Sequence, residues 1–264
     1  MTEAVIQAQD VSKIFPTRKG ILSALEIFSL DVHKGEVVCI VGASGCGKST
    51  FLNIVAGFIP PTRGRVLLEG KEIQGVEPRC GMIFQNYALF PWMTVLENVA
   101  FGPRLKGVST KRRHEQAHRW IAMVGLEGFE NAYPGELSGG MQQRVALSRV
   151  LANEPDVLLC DEPFAALDAM TRQIMQQELL HIVHKSQKTV LFITHSIDEA
   201  LILSDRLVVM SARPGRVKAI YKNDLPRPRI LDMQLTDRFI ELKREVWELV
   251  QEEVIGSMTA PRLG

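Results

Sequence analysis

Nine residues, Gly42-Ala43-Ser44-Gly45-Cys46-Gly47-Lys48-Ser49-Thr50, carry the most specific chemistry in the chain. They fit the pattern G-x-x-x-x-G-K-[ST], whose glycines let successive backbone N–H groups curl round a polyphosphate with no Cβ in the way. Lys48 can reach the β and γ phosphates, and the Ser49 hydroxyl can ligate Mg²⁺. An apolar, β-branched run from Val37 to Val41 precedes the loop, and Phe51 to Ala56 follows it, apolar at helical spacing. Strand, glycine loop, helix is the context that separates this pattern from a chance glycine-rich turn, and the helix N-terminus adds a dipole that favours negative charge. The stretch implies a nucleoside triphosphate site. Cys46 lies two residues from Lys48, where positive potential favours a thiolate. The competing reading is that its side chain faces a packed interior.

Three other apolar runs deliver polar residues at their ends. Val157 to Cys160 leads into Asp161 and Glu162. Asp161 fits the acid that a Mg²⁺-nucleotide needs, acting through water, and Glu162 can polarise a water in line with the γ-phosphate. The same pair could instead cap a helix, since Pro163 follows at a natural first-turn position. Val190 to Thr194 ends at His195, placed either to hold a γ-phosphate or to be a hydrogen-bonded cap or core histidine. Cys80 to Phe84 runs out at Gln85, on its own an ordinary loop residue. Phe15, in Val11-Ser12-Lys13-Ile14-Phe15-Pro16, could stack on a base or simply pack.

The elements that must position these residues follow from the pattern. Ala4 to Ala8 and Ala24 to Val32 alternate loosely, as strands of a half-exposed sheet do. Pro60 to Gly64 reads as a loop and Arg65 to Gly70 as a strand ending in a turn. From Thr94 to Ala152 the period is helical. Within Lys111–Val124, Ala117, Trp120, Ile121 and Val124 share a face, with Lys111-Arg112-Arg113 on the solvated side. Ser138 is a plausible N-cap for a helix from Gln142 to Leu151. Leu207 to Met210 reads as a strand before the turn Arg213-Pro214-Gly215, and Pro226-Arg227-Pro228-Arg229 breaks the chain. A last amphipathic helix runs from Asp237 to Val254, with Phe239, Leu242, Val246, Leu249 and Val250 on one face. Strands alternating with helices predict a mostly parallel sheet covered on both sides, with ligands beyond the carboxyl ends of its strands.

Composition narrows the class. The 264 residues suffice for one large domain or two small ones. With 31 Lys plus Arg against 30 Asp plus Glu, the balance argues against a dedicated nucleic-acid surface. The four cysteines show no C-x-x-C pair or metal-ligand spacing, and Cys39 and Cys160 sit in strand-like runs, so a reduced cytosolic setting fits. No basic stretch followed by an apolar one opens the sequence, so no secretory signal is expected, and no apolar run approaches the roughly 18 residues of a membrane span, so membrane contact is expected to go through another protein.

Together these residues resemble the ATP-binding-cassette (ABC) ATPases. Leu137-Ser138-Gly139-Gly140, followed by Gln142 to Arg149, resembles the family's signature motif. Gln85 matches its Q-loop, His195 its switch histidine, Ala165-Ala166-Leu167-Asp168 its D-loop, and Phe15 its adenine-stacking aromatic. Met141 stands where the signature usually has Gln, and Phe15 where Tyr is commoner, which leaves GTP use open. The resemblance implies an α/β P-loop NTPase with a mostly parallel core sheet, an antiparallel β subdomain and a helical signature subdomain. Expected boundaries are 1–225 for the nucleotide-binding domain, with the helical part at about 88–156, and 226–264 for a C-terminal extension. ATP and Mg²⁺ are the expected ligands. The glycine loop, Ser138, Gly139, Gly140 and Asp168 would contact nucleotide, Ser49, Gln85 and Asp161 the metal, and Glu162, His195 and Gln85 the reaction.

The resemblance also implies partners. A second copy would join head to tail with ATP between the two, each signature helix facing the γ-phosphate held by the other. Gln85 to Trp92, Ser211 to Val217 and Leu225 to Arg229 are similar to the nitrate/sulfonate/taurine importer group. That implies integral-membrane permease subunits, indirectly a solute-binding protein, and a place on the cytoplasmic face of the membrane. A cassette serving an exporter or lipid-trafficking system is the alternative, and a soluble, non-transport cassette a more distant one. The apolar segment Tyr87 to Trp92 would line the groove for a permease helix, unless Phe90 and Trp92 are core.

Overall fold

The computed structural model describes residues 3–18, 20–165 and 167–259, so Ala166 of the expected D-loop lies outside the described residues. In chain order the elements are β1 (Ala4–Thr17), β2 (Gly20–His33), β3 (Val37–Gly42), α1 (Lys48–Val55), β4 (Arg63–Leu68), β5 (Lys71–Glu72) and β6 (Cys80–Ile83). Then come α2 (Val95–Leu105), α3 (Thr110–Met123), α4 (Gly139–Ala152), β7 (Val157–Asp161), α5 (Ala169–Ser186), β8 (Thr189–Ile193), α6 (Ile197–Leu203), β9 (Arg206–Met210), β10 (Val217–Lys222) and α7 (Asp237–Thr259). The chain divides into two compact units, Met1–Glu77 with Val183–Gly264, and Pro78–Ile182.

The first unit carries parallel strands and an antiparallel sheet. β3 pairs in parallel with β8 on one side and β9 on the other, and β10 runs antiparallel beyond β9. Every residue of β3 and β8 is buried, which is why both read as unbroken apolar runs rather than as alternation. The second sheet has the order β2-β1-β4-β5, with β1 antiparallel to both neighbours. β1 and β2 are each 14 residues long, well beyond the two short strands expected there. The register shifts four times between them, and Asp10 and Ile27 take left-handed φ of 50° and 48°. Each bulge resets which residues face inward, so a period of two survives only in fragments. Phe28 of β2 meets Phe51 of α1 with ring centroids 4.4 Å apart, in the centre of this unit's core. α7 buries Phe239, Leu242 and Val246 as expected, while Leu249 and Val250 are only half-buried.

In the second unit, β6 and β7 pair in parallel, and α2, α3 and α4 enclose a core of Val95, Val99, Ala117, Ile121 and Val145. α2 opens with a capping box: the Thr94 hydroxyl accepts from the Glu97 amide, and Glu97 accepts from the Thr94 amide. Asn98, wholly buried, accepts from the Phe90 amide and donates to the Phe90, Met93 and Thr94 carbonyls. One side chain thereby fixes the path of the connecting segment onto α2. Among the described residues no helix is long and apolar enough to cross a membrane. The mostly parallel strands, antiparallel sheet and helical segment are the α/β architecture expected.

Candidate nucleotide site

Within the first unit, β3 and β8 run side by side with Ile40 opposite Ile193, so the glycine loop and His195 leave the same end of adjacent strands. The loop turns through left-handed backbone at Gly45 (φ 74°) and Gly47 (φ 108°). A Cβ at Gly47 would lie 2.6 Å from the Ala24 carbonyl, so only glycine fits there on two counts. α1 starts at Lys48, three residues earlier than its apolar run suggested. Gly47 is its N-cap, with no side-chain capping bond and no acid in the first turn. An N-terminus built this way suits an anion. Lys48 is 6% exposed, and its ammonium donates to the Gly42 and Ala43 carbonyls at 2.8 and 3.0 Å, across the loop it belongs to.

His195 is exposed beyond buried Thr194. The Thr194 hydroxyl accepts from the Ser196 amide at 3.0 Å, and Ser196 caps α6 by accepting from the Glu199 amide at 3.3 Å. The turn into α6 therefore holds the histidine's backbone, while its ring reaches solvent. Phe15 lies on β1, half-buried, with the Lys13 ammonium 5.2 Å from its ring centre.

Cys46 departs from the thiolate expectation. It is 1% exposed, its sulfur is 3.8 Å from the Lys48 ammonium, and burial pushes the thiol up despite that neighbour. Burial against the Gly42 backbone outweighs the positive potential, and the packed reading holds.

In the second unit, β7 ends at Asp161, and Glu162 follows at φ 46°. Among the described residues no helix begins between Glu162 and Ala169, so the capping alternative for Asp161 and Glu162 fails. Left-handed backbone at a non-glycine residue is strain of a kind that gathers at functional sites. Asp168 is exposed and accepts from the Thr171 amide at 3.0 Å at the start of α5; that amide and the Thr171 hydroxyl hold its carboxyl below the ordinary range. Gln85 is exposed past the end of β6. Ser138 caps α4, its hydroxyl accepting from the Met141 amide at 3.3 Å, and α4 begins at Gly139 rather than Gln142.

Trp92 is 70% exposed, with its ring 5.8 Å from that of Phe90, which also meets Phe101 at 4.5 Å. Phe90 is the packed member and Trp92 the presented one.

Sequence reasoning named three residues only as parts of longer stretches and gave them no contacts of their own. The Arg149 guanidinium donates to the Ala88 carbonyl at 2.7 Å and lies over the Phe90 ring, tying α4 to the segment after Gln85. The Tyr87 hydroxyl would lie 2.8 Å from a Cβ at Gly139, at the first turn of α4. Arg213 donates twice to the Gly45 carbonyl, from Nη2 at 2.9 Å and Nε at 3.2 Å. Arg213 was legible only as part of a turn, since its partner lies 168 residues away in sequence.

Comparison with known proteins gives these positions a context. The profile of the ABC transporter family matches residues 25–165. An uncharacterised ABC transporter ATP-binding protein of Methanocaldococcus jannaschii is 51% identical over 253 residues, covering 96% of this chain and 94% of that protein. A taurine import ATP-binding protein of a Jannaschia species is 45% identical over 249 residues, 91% of this chain and 92% of its own length. Among solved structures, a dimeric ATP-binding cassette in a post-hydrolysis state with ADP and phosphate superposes with a TM-score of 0.75 at 33% identity. It covers 84% of this chain and all of that one.

Proposed function

The chain belongs to the ABC transporter ATP-binding family, and from that premise we propose that it hydrolyses ATP to drive uptake of a small sulfonate such as taurine through a separate permease. The observation that carries the reading is the helix end at Gly47–Lys48, free of a side-chain cap and of acids, entered through two left-handed glycines. Its phosphate partners would be the backbone of Gly42, Ala43, Ser44, Gly45, Cys46 and Gly47, with Lys48, Ser49 and Thr50. The taurine import assigned to the Jannaschia relative supports the sulfonate class, and favours uptake over export.

For the reaction, Glu162 is assigned to take the proton of the attacking water and His195 to hold the γ-phosphate, with Phe15 against the base. Ser49, Asp161 and Gln85 supply oxygen donors of the kind magnesium prefers, and a bound Mg²⁺ would offset phosphate charge. Glu162→Gln should bind ATP yet hydrolyse it at least about a hundredfold more slowly, the scale of a lost general base. Single-turnover assays decide this, and near wild-type turnover would remove Glu162 from the role.

Assembly is part of the same reading. Two copies would face head to tail, with Ser138, Gly139 and Gly140 of one completing the phosphate site of the other and Asp168 close by. The dimeric state of the superposed cassette supports it. The domain would span 1–225 with its helical part near 88–156, followed by the extension 226–264. It would sit on the cytoplasmic face by holding the permease, with Trp92 as an anchor, because an exposed Trp on a segment tied down by Asn98 is the residue type of binding hot spots. Trp92→Ala should leave the melting temperature alone and weaken permease binding about thirtyfold. A fall in melting temperature with unchanged affinity would return Trp92 to the core.

A further inference from the structure

The turn between β9 and β10, residues 211–216, touches the phosphate loop on one side and α7 on the other. On the loop side Arg213 donates its two hydrogen bonds to the Gly45 carbonyl, the residue where the loop first turns left-handed. Two residues on, a Cβ at Gly215 would run into the Cys46 carbonyl and the Met210 methyl, so the turn's backbone is pressed against the loop. Gly215 is fixed in place from β2: its amide donates to the Ala24 carbonyl at 3.0 Å and its carbonyl accepts from the Glu26 amide at 3.1 Å. The Ser211 hydroxyl closes the turn by accepting from the Arg216 amide and donating to the Pro214 carbonyl.

The far side is held by α7. Glu253 accepts from the Ala212 amide at 2.7 Å and pairs with the Lys218 ammonium of β10 at 2.7 Å. Lys218 also reaches Glu252 at 2.8 Å and the Leu249 carbonyl at 3.3 Å. One carboxylate of the last helix thus binds the residue directly before Arg213. The contacts form an unbroken series: Glu253, Ala212, Arg213, Gly45.

We propose that Arg213 is a positioning residue for the phosphate loop, and that α7 sets it through Glu253, so that the C-terminal helix governs nucleotide affinity. The physical basis is that a left-handed glycine loop has many accessible conformations, and a carbonyl fixed by a guanidinium removes most of them before nucleotide arrives. The turn transmits α7's position because it is short, internally bonded and anchored on β2. Any partner that displaces the end of α7 would then loosen the grip on phosphate without entering the site.

The proposal rests on the glycine loop being the nucleotide site, and the full-length chain can separate the two ideas. A ribose-labelled fluorescent ATP analogue reads affinity, and peptide-resolved maleimide labelling without nucleotide reads the loop through Cys46. Buried Cys39 and Cys160 serve as controls for general loosening. Arg213→Ala and Glu253→Ala should each weaken the analogue about tenfold, the scale of one lost charge-assisted hydrogen bond, with little change in turnover at saturating ATP. The double variant should be no weaker than Arg213→Ala, because both act in series. Arg213→Lys should recover part of the affinity. Cys46 should label about tenfold faster in both alanine variants while Cys39 and Cys160 stay protected. The proposal is overturned if Glu253→Ala leaves affinity and Cys46 labelling unchanged, if the two losses add, or if all three buried cysteines open together. Failure of the unaltered chain to bind the analogue would instead overturn the nucleotide site itself.

Discussion

Two helices in this molecule have glycine at their first turn or cap, and they begin differently. α1 starts at Lys48 after Gly47, at φ 108°, with no side-chain cap. α4 starts at Gly139 after Ser138, in ordinary extended backbone at φ −64°, and the Ser138 hydroxyl already occupies the Met141 amide. The first end is organised by its own backbone to receive an anion; the second satisfies itself. The glycines differ in the same way. Gly47 has no room for a Cβ, with the Ala24 carbonyl 2.6 Å away, whereas a Cβ on Gly140 would make ordinary contact with Leu167 at 3.5 Å. Glycine is required by the chain's own geometry at position 47. At position 140 no close approach among the described residues asks for it, which is what a surface kept clear for a second copy would look like.

Lys48→Ala should show the largest effect, because it takes a buried ammonium from the first helix end. ATP affinity should fall about a hundredfold or more, on the scale of two lost charge-assisted hydrogen bonds. Calorimetric titration giving normal affinity would mean that phosphate does not sit at this helix end. Next comes the pair of glycines. Gly47→Ala should cost roughly 1–3 kcal/mol of stability through backbone strain alone. Gly140→Ala should leave stability level or raise it by up to about 1 kcal/mol through helix propensity, read out as the melting temperature, while ATPase of the assembled protein drops. Full activity in Gly140→Ala would erase the contrast between the two ends.

The smallest effect concerns the support that the first loop draws from the turn and α7. Burial pushes the Glu253 carboxyl up, but the Lys218 ammonium and the Ala212 amide outweigh it and hold it below the ordinary glutamate value of 4.5. A carboxylate depressed on folding stabilises the fold above its unfolded value, and that contribution is lost as pH falls through the folded one. Stability should therefore decline as pH drops below 4.5, by about 1 kcal/mol or less for this group, read out as a falling melting temperature. Glu253→Gln should flatten that part of the profile, and an unchanged acid limb would show that the carboxylate is not coupled to folding.

Legibility in the sequence followed the range of the interaction. β3, β7 and β8 are buried on both faces, so their apolar runs announce them, and the residues at their ends could be named from position alone. The Ser138 cap is a contact over three residues and was equally visible. The β1–β2 hairpin was visible only in pieces because bulges at Asp10 and Ile27 break the alternation on which a strand is recognised. Cys46 was ambiguous for a different reason: the charge beside it is local, but the Met210 and Gly215 neighbourhood that buries its loop is remote in sequence. Arg213 and Glu253 could not be paired with their partners, since no local pattern encodes a contact between the turn, the loop and the last helix.

α6 has seven residues, too few to persist as a helix unaided. Its C-terminal carbonyls are held by Asn223, which donates to Leu201 and Ser204 at 2.7 and 2.8 Å, and by buried Arg229, which donates to Ser204 at 2.5 Å. Its first turn is held by Lys243 of α7, 2.8 Å from Asp198. Residue 243 leaves the ribosome well after residue 195, so during synthesis the strand carrying His195 is complete while the helix anchoring it still waits for its supports. The support of the histidine's helix is thus completed by residues that follow it in the chain, Lys243 lying in the second turn of α7.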